Sequence, residues 1–92
     1  MSYRQWVEVT DRVHRPGSET VVLLLVQDVS AAGWYVRGYD QNGRQTTETW
    51  HGGLPLARRW AESQYTADAI GTWREIPDET TDPIRYALRR RR

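Results

Sequence analysis

One histidine in this chain stands where chemistry could be done. In "TETWHGGLPLARRWAESQY" (47–65), His51 follows Trp50 and precedes two glycines, a proline and a stretch with helical spacing. An imidazole there could carry a proton, ligate a metal or touch a ligand. Catalysis would need a partner at readable spacing, either a nucleophile to activate or an acid to orient the ring. The other histidine, His14, lies at the far end of the first predicted strand, and the chain has no cysteine. These two rings and the scattered carboxylates match no metal-ligand spacing, so no metal ligand is assigned. Two glycines before a helix could offer N–H groups to an anion, but the pair alone is not a phosphate loop. The residues read best as a structural corner. Trp50 is expected to end a strand and pack under the helix, with His51 hydrogen-bonded at the joint and the glycines permitting the turn. Ligand contact and catalysis by His51 are the alternatives. No catalytic residue and no cofactor is predicted, and the chain is expected not to be an enzyme.

Two other groups of residues have interacting chemistry. In "WYVRGYD" (34–40), strand alternation puts Tyr35, Arg37 and Tyr39 on one face and Trp34, Val36 and Gly38 on the other. A Tyr-Arg-Tyr face could stack bases, could pair internally with the guanidinium over a ring, or could meet a protein partner or a second copy. The chain ends in "RRRR", Arg89, Arg90, Arg91 and Arg92, a candidate for phosphate contact. Glu75, Asp78, Glu79 and Asp82 lie just upstream, so residues 74–92 hold six arginines against four acids. The net charge of the whole chain is only +1, a weak field for a dedicated nucleic-acid binder. Terminal arginines also favour a helix C-terminus through its dipole. All thirteen basic residues are arginine, which suits planar and phosphate recognition.

The elements that must position these groups can be read from periodicity. "YRQWVEVTDRVH" (3–14) alternates, with Val7, Val9 and Val13 on one side, as a half-buried strand does. "RPGSE" (15–19) is a turn. "TVVLLLVQ" (20–27) is apolar at consecutive positions, the pattern of a central strand covered on both faces. "WYVRGYD" and "RQTTETW" (44–50) flank Asn42-Gly43, the signature of a tight hairpin. Pro55 suits a first helical turn, and Ala57, Trp60, Ala61 and Tyr65 form one apolar stripe with Trp60 at its centre. "TWREIP" (72–77) reads as a short last strand, and Asp82-Pro83 starts a terminal helix. The predicted fold is α+β, an antiparallel β-meander of four to five strands. One main helix packs on one face, and a short C-terminal helix follows. With 92 residues this is one domain, drawn as residues 1–88 with an Arg tail at 89–92. The longest apolar run, "VVLLLV" (21–26), is too short for a membrane helix or a signal core. The protein is expected to be soluble and cytoplasmic.

The run "YDQNGRQTTETWHGGLPLARRWAESQY" followed by "TWREIP" resembles a pattern in small single-domain bacterial proteins of unassigned function. In them an Asp/Asn-Gly hairpin leads to Thr-Trp-His, an Ala-containing helix and a Trp-bearing strand. The resemblance covers roughly residues 34–77 and implies an α+β fold, with no activity attached. Those proteins usually carry an acidic first helical turn, where this chain has "GGLPLARR". The functional expectation is a small non-enzymatic protein-binding module of accessory, immunity or regulatory type. The alternative is nucleic-acid binding through the Tyr35/Arg37/Tyr39 face and the Arg tail.

Overall fold

The computed structural model describes residues 4–10 and 19–91. Val13, His14, the Pro16-Gly17 turn and Arg92 lie outside the described residues. The elements run β1 (Arg4–Glu8), β2 (Val22–Asp28), β3 (Gly33–Tyr39), β4 (Gln45–His51), α1 (Leu54–Ser63), β5 (Arg74–Glu75) and α2 (Pro83–Arg90). The five strands form one sheet in the order β4-β3-β2-β1-β5, with every pairing antiparallel. The first four strands are a meander. β5 returns after α1 to pair with β1 at the opposite edge from β4. The fold is therefore the α+β arrangement expected, with one main helix and a short C-terminal one.

Each helix covers a different face. Val7, Leu23, Leu25, Trp34 and Val36 gather under Ala57 and Ala61 of α1. Trp6, Val22, Leu24, Tyr39 and Ile76 gather with Ala87 of α2. This division explains the unbroken apolar run of β2. Its odd positions feed one cluster and its even positions the other, so no position in Val22–Leu25 is left for a polar side chain. The two alanines of α1 are fully buried. Their small side chains let the helix backbone lie close to the sheet.

Local chemistry fixes the ends of these elements. At the hairpin, the Asp40 side chain accepts from the N–H groups of Asn42 and Arg44, both at 2.9 Å. Gly43 N–H donates to the Asp40 carbonyl at 3.0 Å, and Gly43 alone in this loop takes a positive φ, +81°. This is a turn closed by a left-handed glycine, for which a side chain would be strained. The ladder shifts by one residue beside it, between Gly38 and Tyr39. α2 starts as expected: Asp82 accepts the N–H of Arg85 at 3.0 Å, and Pro83 occupies the first turn. α1 starts differently, at Gly53, with no side-chain cap. Gly53 is extended (φ −176°) and Gly52 is not among the positive-φ glycines. The turning freedom expected of this pair is thus not what the corner uses.

Candidate functional site

The Trp-His corner splits across the sheet. Strand alternation places His51 on the α1 side, where its ring centroid lies 5.3 Å from that of Trp60. Its Nε2 is 2.9 Å from Thr49 Oγ1. The His51 ring is thus engaged by a hydroxyl and lies tilted against an indole. Trp50 corrects the expectation. It pairs with Tyr35 and so stands on the other face, away from α1, with 48% of its surface exposed. The physical reason is the two-residue period: in a regular strand, neighbours cannot both lie under one helix.

A built seat holds that exposed indole. Trp50 Nε1 donates to Asp28 Oδ2 at 3.2 Å. The same carboxylate accepts from the hydroxyl and N–H of Ser30, at 2.7 and 3.1 Å. The Ser30 hydroxyl bond is the main reason that the Asp28 carboxyl lies below its ordinary pKa, with Trp50 adding to it. The ring itself lies against Gly33, where an added Cβ would meet the indole carbons at 2.2 Å. The preceding Ala32 has φ +52°, a left-handed position that non-glycine residues rarely take. The short loop between β2 and β3 thus supplies both the acceptor and the flat floor for Trp50. Sequence reading passed over this seat. Its one signal was "DVSAAG", an Asp with a Ser two residues on, a common self-bonding turn.

Next to the indole, Arg37 lies with its guanidinium carbon 4.6 Å from the centre of the Tyr35 ring. Its Nε is 2.7 Å from Glu48 Oε2 across the β3–β4 ladder. Both side chains keep a substantial exposed fraction, 31% for Arg37 and 42% for Glu48. Half-buried Val26 completes the row that runs from Arg4 through Tyr35 to Trp50. Tyr39 leaves the group. It shares the face, but α2 covers that end of the sheet, and Tyr39 is only 6% exposed. The structure therefore brings Tyr35, Arg37, Glu48 and Trp50 together at one corner and buries Tyr39 beneath another.

The corner ends at a sheet edge. β4 is the outermost strand and has seven residues, against two in β5 at the far edge. It contains no proline, and its one acid is engaged by Arg37. These are the devices that keep edges from pairing, and β4 has few of them. Arg89, Arg90 and Arg91 lie elsewhere. Arg89 and Arg90 belong to the last turn of α2, where cations complement the helix dipole, and Arg91 caps it. Among the described residues no helix is long and apolar enough to cross a membrane. No protein-family model matches this chain, and no curated protein or solved structure is significantly similar to it.

Proposed function

We propose that the protein is a non-enzymatic protein-binding module whose contact surface is the β3–β4 corner, with Trp50 as its anchor. The observation that carries this reading is an indole half exposed to solvent yet fixed in place by Asp28 and Gly33. An exposed aromatic costs solubility, and one held in a single orientation loses little entropy when a partner covers it. Trp, Tyr and Arg are the residues that most often anchor protein interfaces, and here one of each lies beside an unprotected strand edge. His51, engaged by Thr49 and Trp60, supports a packing role in preference to catalysis.

The test is affinity capture from the native host, with and without nuclease, using the unaltered chain and Trp50→Ala. One protein recovered by the unaltered chain regardless of nuclease, and lost with Trp50→Ala at unchanged melting temperature, is the expected result. Recovery of nucleic acid instead, insensitive to Trp50→Ala, would overturn the reading in favour of nucleic-acid binding. A Trp50→Ala variant that retains the protein partner would place the contact elsewhere.

A further inference from the structure

The outer edge of β4 has a backbone pattern that can be read from its neighbours. The Tyr39 carbonyl accepts from the Val21 N–H, on the β2 side, and the Asp40 N–H donates to the Arg44 carbonyl, on the β4 side, each at 2.9 Å. Backbone groups alternate in direction along an antiparallel strand, so Gly38, Val36 and Trp34 turn theirs towards β4. Their ladder partners Thr47, Thr49 and His51 answer inward. The N–H and C=O of Glu48 and Trp50 are therefore directed away from the sheet. Among the described residues, no backbone–backbone bond outside the β3 ladder reaches the strand residues of β4. The ladder is regular over residues 47–51, and the extra residue at the neighbouring shift is Thr46. A bulge is one of the devices that protect an edge. Here it protects the start of β4 and leaves residues 47–51 open.

We infer that two copies of this chain pair through their β4 edges, antiparallel about a two-fold axis at Thr49. The inference rests on the reading of the β3–β4 corner as a contact surface, and it names a second copy as the occupant of the edge. An open edge is a template for another strand, and a symmetric pairing uses the same patch on both copies. Symmetry also restricts the register, because outward backbone groups must meet outward groups. Glu48 can face Glu48, Trp50 can face Trp50, or Glu48 can face Trp50 with Thr49 on the axis. The first register sets two carboxylates opposite each other, which is destabilising, and brings the bulged Thr46 into the pairing. The second pairs only residues 49–51 of β4. The third lays the regular segment, residues 47–51, opposite itself with no like charges face to face. Each Glu48–Trp50 pair then exchanges both of its N–H···O=C bonds. Glu48 keeps its bond to Arg37, because that bond lies on a face of the sheet and the pairing lies in its plane. The two Trp50 indoles stay on one face, on neighbouring strands, so the dimer presents the anchor twice. A contact of this size belongs to the weak, transient class.

The experiment is analytical ultracentrifugation of the purified full chain over rising concentration, which should show a reversible monomer–dimer equilibrium. Glu48→Pro removes one outward N–H from each copy and no bond of the β3 ladder. It should weaken the dimer about a hundredfold, roughly tenfold for each lost bond, with the fold followed by circular dichroism. The chain has no cysteine, so single cysteines report the register even where that proline disturbs the strand. Thr49→Cys sets two thiols across a non-hydrogen-bonded pair, whose Cα separation of ~4.5 Å suits a disulfide, and should oxidise to a covalent dimer. Glu48→Cys lies diagonally across the axis at ~7–8 Å and should not. A chain that stays monomeric at about 1 mM, or a folded Glu48→Pro variant that dimerises as the unaltered chain does, would overturn the pairing. Glu48→Cys crosslinking as fast as Thr49→Cys would overturn the axis at Thr49. The corner reading fails separately. A monomer that captures a host protein through Trp50 ends the pairing alone. A dimer whose Trp50→Ala variant captures that host protein unchanged ends the corner reading alone.

Discussion

Tyr35 and Tyr39 stand four residues apart on one face of one strand, and the molecule treats them as opposites. Tyr39 lies in the cluster with Ala87 and is 6% exposed. Tyr35 is half-buried under the Arg37 guanidinium, beside an indole that keeps nearly half its surface in water. The strand does not distinguish the two positions; the reach of α2 does. That helix has eight residues and covers β1 and β2. At the usual rise of ~1.5 Å per residue it extends only ~12 Å. The far corner of the same face stays open, and the residues left there carry the chemistry of an interface. Burial on this face is thus a matter of coverage, and function is proposed where coverage stops.

The sharpest way to break this contrast is to truncate each tyrosine in turn. Tyr39→Ala should destabilise the domain by about 3–5 kcal/mol, the scale for a buried aromatic, out of a total stability that is typically ~5–15 kcal/mol. Tyr35→Ala should cost less than about 1 kcal/mol, because its partners are half exposed and the guanidinium over the ring contributes only ~0.5–1 kcal/mol. Urea denaturation of the two variants side by side measures the difference. Equal losses would mean that α2 does not divide the face.

A smaller effect tests the other face. Trp60 was expected at the centre of the buried stripe, but it is only partly buried, and Ala57 and Ala61 hold the centre. Trp60→Ala should therefore cost about 1–3 kcal/mol, below the range for a fully buried indole. A loss above about 4 kcal/mol would show that the ring, and not the close alanine contact, docks α1.

The smallest effect is a pH dependence contributed by the buried tyrosine. Burial pushes the Tyr39 hydroxyl above its ordinary pKa; Arg37 opposes this shift and Glu48 adds to it. A phenol that ionises more readily in the unfolded chain leaves stability unaffected below about pH 10, where both states are protonated. Above that the unfolded state loses its proton first, so stability should fall as pH rises towards the folded value. Tyr39→Phe should remove that alkaline slope, as read from melting temperatures between pH 8 and 11, while Tyr35→Phe should leave it in place.

Much of this molecule is legible from its residues. The doubly covered β2, the Asn42-Gly43 hairpin and the Asp82-Pro83 helix start all rest on local rules. Each follows from periodicity, φ preference or a side chain within a few positions of its partner. The site was legible only in part. Tyr35 and Arg37 could be placed on one face from alternation, and Arg37 over a ring was one of the readings open to it. Trp50 was assigned to the wrong face because its helix-side neighbour, His51, was taken to share its surroundings.

What tertiary structure alone decided is which of the outward-facing groups stay outward. Nothing in the order of residues fixes how far α2 reaches across the sheet, since that depends on where Ala87 finds room against β1 and β2. Nor could spacing reveal that Gly33, seventeen positions before Trp50, would be the floor for its ring. Local sequence sets each element and each face, because those depend on neighbours along the chain. Coverage and convergence depend on contacts between distant segments, which only the packed fold specifies.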